Sequence, residues 1–401
     1  RFPGFEGEWG SSELGNIAEN YIGGGTPSTK VKEYWNGNIP WIQSSDLKID
    51  DVKHMEFHKY INSLAIENSS AKLIPKNSIA IVTRVGVGKL ALIREEFSTS
   101  QDFLSLSNLS LDTNYALYAL YKLIRKESTK LQGTSIKGLT KNDLLSKHIK
   151  IPSYINEQEQ IGDFFSKLDQ QIELEEQKLE KLEEQKKGYM QKIFSQEVRF
   201  KDDNGNSYPE WESAPLFDIF SATKGKSLSK DKISDDGKYE CILYGEIYTT
   251  YAEKIESIVS RTNYYEGILS KKNDLIFPNS TTTNAWDLAT FSSLQKNNVL
   301  IGGDISILRT KRSDISSLFY AYYLTNYLKL RKDIAKYAQG ITIVHLSFNN
   351  FCKIKVQIPS LEEQNSITDF IDSLNQQQKL ITNKIKLLKE RKKGFLQKMF
   401  V

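Results

Sequence analysis

The stretch from Asn156 to Phe194, NEQEQIGDFFSKLDQQIELEEQKLEKLEEQKKGYMQKIF, returns near the end of the chain as EEQNSITDFIDSLNQQQKLITNKIKLLKERKKGFLQKMF, from Glu362 to Phe400. In the first copy Ile161, Phe165, Leu168, Ile172, Leu179, Leu182, Tyr189 and Ile193 step by threes and fours, the apolar seam of a long coiled-coil helix. In the second, Ile367, Ile371, Leu374, Ile381, Ile385, Leu388, Phe395 and Met399 hold the matching places. Two like helices each need an apolar partner, and the economical partner is the other helix.

The repeat extends beyond the helices. Arg1-Phe2, Glu8-Trp9, Leu14 and Ile17 recur as Arg199-Phe200, Glu210-Trp211, Leu216 and Ile219, so the chain divides into units of about 1–198 and 199–401. The expected fold class is α+β: two globular domains of mixed strands and helices, 1–153 and 197–359, each followed by a long spacer helix, 154–196 and 360–401. If the helices pair antiparallel in a coiled coil, the end of the second unit returns beside the start of the first, a circular, pseudo-twofold arrangement with a domain at either end of a rod.

Charge agrees with unlike pairing. Residues 155–195 carry 6 basic and 10 acidic groups, and 361–401 carry 8 and 5, whereas the globular stretches 1–154 (19 and 16) and 196–360 (21 and 19) are mildly basic. Complementary flanks favour pairing the two helices over self-pairing. Polar residues interrupt the seam at Glu175, Lys186, Gln378 and Lys392, where they could fix register or touch partners; leucine at Glu175 and Gln378 should leave the fold intact. Ser360 and Glu363 form a capping box opening the second helix, and Asn156 with Glu159 would serve the first. Gly188 and Gly394 suggest a close packing contact or a bend near the helix tip.

Within the first unit, GGGTPST at 23–29 is turn-rich and IPWIQSSDL at 39–47 reads as a short strand entering a polar loop. SIAIVTR at 78–84 and LALIR at 90–94 flank Gly86-Val87-Gly88 as a hairpin, and a helix is expected from Asn114 to about Lys130. The second unit repeats the order in drifted form: YECILYGEIY (239–248), NDLIFPNS (273–280), DISILRT (304–310) and a helix over 318–330. The closing segments run parallel, Gly133, Leu139 and Asn142 matching Gly340, Leu346 and Asn349.

Catalytic constellations are missing. Arg84 to Lys89 resembles the tail of a phosphate-binding loop, but Thr83 stands at its first glycine and Leu90 at its Ser/Thr position, which leaves a hairpin turn. There is no Pro-Pro dipeptide for an amino-methyltransferase signature and no G-x-S-x-G. Glu184/Lys186 and Glu390/Lys392 lie on the coiled-coil helices, where charged positions are normally solvated faces. His54 and His58 lack a third metal ligand and read as surface histidines; Cys241 and Cys352 are too few for a disulfide framework or zinc cluster. No run approaches the ~18–20 apolar residues of a membrane span, and Arg1 opens without a secretion-signal pattern or a leader, so a cytoplasmic protein is expected.

With RFPGFEGEW at the start, GGGTPS before YWNGNIPWI at 34–42, IPSLEEQ at 358–364 and LQKMF-like helix ends, the chain resembles the specificity subunit of a type I restriction-modification system along essentially its whole length. The second unit lacks the G-x-TPS and IPW signatures and offers ATKGKSLSK and YECILYGEI instead. The resemblance implies two target-recognition domains, each reading half of a bipartite, asymmetric site in double-stranded DNA, with the helices setting the spacer. It further implies docking of two modification (methyltransferase) subunits, which restriction subunits can join. No cofactor is expected in this chain; S-adenosylmethionine and ATP/Mg belong to the partner subunits.

Base reading needs paired donors and acceptors on loops held by a rigid scaffold. The candidates are Ser28, Lys30, Gln43, Ser44, Ser45, Arg84, Lys89, Gln101 and Lys137 in the first unit and Lys224, Lys226, Tyr244, Asn279, Ser280, Thr281 and Thr282 in the second. Lysines and serines are expected to hold phosphates, and Gln43, Arg84 and Asn279 to read bases. A helix of about 40 residues spans ~60 Å, against ~34 Å for a turn of DNA; one matched heptad added to both helices should lengthen the recognised spacer by about three base pairs. The rival class is a tandem protein-interaction adaptor, which would lack the steep salt dependence of DNA binding. A self-sufficient nuclease or methyltransferase would act as the isolated chain.

Overall fold

The computed structural model describes residues 2, 4–53, 55–131 and 138–400, so Arg1, His54, Gly133 and Lys137 lie outside the described residues. The chain forms two compact units, Arg1–Gln177 with Thr382–Val401, and Lys178–Ile381. The division falls inside both long helices, not at their ends, because half of each helix is built into each core.

In the first unit a four-stranded antiparallel sheet runs in the order Ala18–Gly23, Phe103–Leu109, Ser78–Val82, Leu90–Ile93. Strand periodicity of two sorts its side chains. Ile79 and Ile81 join Leu104 and Leu106 against the helix Thr113–Leu131, while Ala80, Val82 and Ile93 pack with Ile42, Ile74 and Phe97 on the other face. Ile39–Ile42 is the middle strand of a smaller sheet, antiparallel to Tyr60–Ile61 and parallel to Ser98–Thr99. Gly10–Glu13 pairs antiparallel with His148–Ile151, so the strand leading into the first long helix, Ile155–Phe194, is tied to the start of the chain.

That helix contributes Ile161, Phe165 and Leu168 to the core beside Leu396 and Phe400 of the second long helix and its end. Its partners ascend as those of the second helix descend: Phe164 meets Phe395, Asp169 meets Lys392 and Glu175 meets Lys384, so the pairing is antiparallel. Ile172, Ile385 and Leu388 are buried along the seam; Leu179, Leu182 and Ile381 are half-buried.

The second unit repeats the plan with a five-stranded sheet, Phe220–Lys224, Ile305–Thr310, Asp274–Pro278, Ser292–Leu294, Lys254–Ile255, and a four-stranded sheet centred on Tyr239–Ile242 and Leu300–Ile301. Leu275, Phe277 and Leu308 face the helical side, where Met190, Ile193, Ile367 and Ile371 of the long helices complete the core. Leu374 is buried as well, and Tyr189, though 44% exposed, packs edge-to-face with Phe370, the ring centroids 5.6 Å apart.

Three expectations change. The helix expected over 318–330 is two, Ser317–Asn326 and Leu328–Ala335, broken at Tyr327 with ψ at 104°. The broken turn is satisfied by Gln191, whose amide donates to the Asn326 carbonyl at 2.6 Å and accepts from the Leu328 N–H at 3.1 Å. Asn156 is no cap, since the first long helix starts at Ile155 and the Tyr154 carbonyl takes its first N–H bonds. Gly188 and Gly394 make no close contact, for a Cβ at either would meet nothing within 4 Å.

Ser360 does cap its helix, accepting from the Glu363 N–H at 3.3 Å. The Glu363 carboxylate, fully buried, turns instead to the Trp211 indole at 2.8 Å and to Arg199 at 2.9 Å. Glu157, equally buried, accepts from the Trp9 indole at 3.3 Å in the same way. Gln158 and Gln364 likewise share a role: each donates to the carbonyl of Pro152 or Pro359, and accepts from the N–H of Asp112 or Ser316 at the start of the domain helix. These Glu-Gln pairs are the locks by which each long helix is fixed to its domain.

Candidate nucleic-acid interface

One corner of each unit is assembled by main-chain hydrogen bonds between loops distant in sequence. In the first unit Gly24 N–H donates to Phe103 O (3.4 Å), Gly25 to Thr99 (2.8 Å), Ser100 to Ile42 (2.9 Å), Thr83 to Asp102 (2.7 Å) and Leu139 to Thr83 (2.7 Å). In the second, Gly225 donates to Ile305 (2.8 Å), Lys226 to Ile301 (3.2 Å), Gly302 to Ile242 (2.9 Å), Asn279 to Asp304 (2.7 Å) and Leu346 to Asn279 (2.9 Å). The five bonds correspond one to one. Glycine is required by proximity: a Cβ on Gly24 would lie 2.0 Å from the Ser100 carbonyl, and one on Gly225 2.0 Å from the Gly302 carbonyl.

The corner of the first unit gathers most of the residues singled out there. Arg84 and Gln101 line an open depression of 540 Å³ with Gly24, Thr83, Thr140 and Lys141. Arg84 is exposed, at the start of the turn in which Gly86 and Gly88 take φ of +91° and +113°. Lys89, on the far side of that turn, donates to the Ser44 carbonyl at 2.7 Å and so joins the hairpin to the 3₁₀ turn Ser44–Asp46. Gln43 caps that turn and accepts from Lys59 at 3.1 Å, while Ser45 is exposed. Thr26 donates to Gln101 at 3.1 Å, and Ser28 and Lys30 are exposed beyond it. Thr26, Lys59 and Lys141 belong to this group and were not marked by their sequence context, because each reaches the corner through the tertiary fold alone.

The second corner distributes its residues differently. Lys224, Lys226 and Thr282 are exposed and Tyr244 is half-buried against the apolar core behind the sheet. Asn279 is buried, its amide donating to Ser306 at 2.9 Å and Leu346 O at 2.7 Å and accepting from Ser306 at 3.1 Å. Its side chain is thereby committed to the fold, and the base-reading expectation does not hold for this free-chain geometry. Ser280 and Thr281 are also buried, bonded to Asp304 at 3.1 Å and to Tyr248 and Thr283 at 3.3 and 2.7 Å. A further feature here is Trp286, 39% exposed, with the Arg331 guanidinium stacked 4.7 Å from its ring centroid. Its signal in the sequence is slight: a lone tryptophan after TTTNA.

Among the described residues no group of three His, Cys, Asp or Glu is arranged to hold a metal ion, and no helix is long and apolar enough to cross a membrane. Cys241 is buried, which pushes its thiol up to about 11, away from nucleophilic use. The corners offer hydrogen-bond donors, acceptors and cations on rigid loops, the chemistry of recognition.

Residues 6–184 and 208–390 each match the model of a family described as the type I restriction modification DNA specificity domain. The chain is 28% identical over 239 residues to the type I restriction enzyme MjaIX specificity subunit of Methanocaldococcus jannaschii, covering 56% of this chain and 55% of that protein. It is 36% identical over 175 residues to the EcoR124I/EcoR124II specificity subunit of Escherichia coli, covering 41% and 42%. The chain thus spans about half the length of these two relatives. A longer alignment, with the MjaVIII specificity subunit of M. jannaschii, covers 92% of this chain and 86% of that one at 24% identity. In fold it resembles the crystal structure of a type I restriction-modification S subunit from M. genitalium, with TM-score 0.58, 18% identity and coverage of 98% and 96%. A chain from a study of complex assembly and conformational transition of the type I R-M system gives 0.60 at 15% identity, covering 98% and 97%.

Proposed function

We propose, for a chain that belongs to the type I restriction modification DNA specificity domain family across residues 6–184 and 208–390, that it is the noncatalytic subunit that reads DNA sequence for a type I restriction-modification complex. Each unit reads one half of a bipartite target with its corner. The observation that carries this reading is the pair of corners: the same five main-chain bonds hold unlike side chains, Arg84, Lys89 and Gln101 in one, Lys224, Lys226 and Thr282 in the other. Two reading heads of one geometry and different chemistry suit an asymmetric site. Exposed lysines hold phosphates, and Arg84 and Gln101 present paired hydrogen-bonding groups to base edges.

The long helices set the spacer between the half-sites and offer their outer faces to two modification subunits. Those partners supply S-adenosylmethionine binding and adenine methylation, and restriction subunits join them to add ATP-driven cleavage. Methylation mapping of a host that expresses this chain with its modification subunits tests the assignment. A single split motif with a fixed spacer is the expected result; methylation unchanged by substitution of Arg84 and Gln101 together would sink the reading of the first corner.

A further inference from the structure

Both corners hold out an aliphatic side chain that contributes nothing to either core. In the first unit Val85 is 71% exposed, next to Arg84 at the crest of the hairpin turn. In the second, Ile341 is 100% exposed, with Ile343 at 48%. The segment carrying them is tightly closed. Gln339 and His345 exchange N–H···O bonds of 2.9 and 2.7 Å, and Gly340 takes φ +128°, where a Cβ would lie 2.0 Å from the Ile343 carbonyl. Val344–His345 pairs antiparallel with Ser280–Thr281, so the loop rises from the same corner as Thr282.

An aliphatic group fixed in water gains nothing until a partner covers it. The surroundings argue against a protein partner, because Val85 in one unit and the Ile341/Ile343 pair in the other are small apolar areas among polar neighbours: Arg84 and Ser45 in the first, Thr282, Thr283, Asn284 and Thr342 in the second, all exposed. A polar crest with an aliphatic side chain at its tip matches the edge of a base pair that presents hydrogen-bonding groups and one apolar group. In the major groove that apolar group is the 5-methyl of thymine.

We propose that Val85 and Ile341 each contact a thymine methyl, one in each half-site, an inference that rests on assigning the two corners to DNA. The equivalent strand ends are Arg84-Val85 and Ser280-Thr281, yet the aliphatic tip follows the strand in the first unit and comes from the closing loop in the second. The methyl contact therefore falls at a different place within each half-site.

The test uses the chain assembled with its modification subunits and duplexes of the mapped target in which thymines are replaced, one at a time, by deoxyuridine. One position in each half-site should bind about fourfold more weakly, the effect of one lost methyl contact. Ile341→Ser should remove the sensitivity in the second half-site only, and Val85→Ser in the first only; the unaffected half-site reports that each variant is folded. Uracil tolerated at every position, a half-site with no A·T pair, or sensitivity that persists in the serine variants would overturn the proposal. Failure of the unsubstituted complex to select any sequence would instead overturn the assignment of the corners to DNA.

Discussion

The Lys392 ammonium lies 2.5 Å from the Asp169 carboxylate across the two long helices, with both side chains largely shielded from water at 8% and 13% exposure. Asp169 also accepts from the Tyr118 hydroxyl at 2.6 Å, and Lys392 sits 5.6 and 5.4 Å from the rings of Tyr118 and Tyr121. A seam charge is thus neutralised by one particular residue of the other helix and by the domain helix beneath. Asp169→Asn should destabilise the chain by about 3 kcal/mol, because a buried ammonium is left uncompensated. Replacing both residues with leucine should recover most of the loss. Urea unfolding of these two variants and of Asp169→Leu and Lys392→Leu alone checks this, and an additive double leucine variant would remove the pair from the account of register.

Gly24→Ala and Gly225→Ala test whether the corners are separate modules. Each methyl would strike a carbonyl at 2.0 Å, so the loop must shift. The expected outcome is loss of one half-site from the methylated motif, a different half for each variant, with the far-ultraviolet circular dichroism unchanged. Loss of both halves from either variant would show that the corners are not independent.

Within the first corner, Arg84→Ala and Lys89→Ala should differ in kind. Arg84 is exposed at the rim of the depression, and its loss should relax selection at one base pair by about 1–3 kcal/mol. Lys89→Ala should weaken binding to all sequences alike and lower the salt slope by about one unit. Binding measured between low and moderate salt on cognate and scrambled duplexes separates the two.

Open space around Gly188 and Gly394 gives a prediction of opposite sign. Alanine at either should raise stability by about 0.5–1 kcal/mol, since a helical glycine carries an entropy cost and nothing stands in the way of the methyl. An unfolding midpoint that falls would contradict the prediction.

Alkali should unfold the protein through its buried phenols. Burial, then the charge of Asp169 and its hydrogen bond, drives the Tyr118 hydroxyl far above the ordinary range. Burial also raises Tyr115, Tyr121, Tyr320 and Tyr322, and pushes Tyr323 up to about 12. A pKa raised by folding means that the folded chain holds its proton when the unfolded chain has lost it. Stability is then complete below about pH 10 and falls as pH rises from there through 12 and beyond. Denaturation midpoints across pH 8–12 should show that decline, and a flat profile would contradict it.

The long helices and the hairpin were legible because each rests on local periodicity or on glycine spacing, which a sequence displays directly. The break at Tyr327 was not, for it depends on Gln191, which supplies both a donor and an acceptor from far along the chain. Glu363 was legible only as a cap; its burial against Trp211 and Arg199 is a tertiary fact. Asn279 failed as a candidate for a related reason. An asparagine beside a turn looks the same in sequence whether its amide faces solvent or, as here, closes a bond to Leu346 and Ser306. Thr83 and Asn279 occupy one structural position, and both spend their side chains on the fold, Thr83 by donating to the Asp102 carbonyl at 3.1 Å.

Each corner is held largely through peptide groups, to which the side chains of Lys89 in the first and Asn279 in the second add bonds. Apart from close-approach positions such as Gly24 and Gly225, the framework makes few demands on side-chain identity, so specificity is cheap to change. A library randomised at Gln43, Arg84 and Gln101 should be mostly foldable, and its members should differ in the half-site they mark while the rest of the chain stays as it is. New recognition can then arise by substitution at a few surface positions, without a passage through misfolded intermediates.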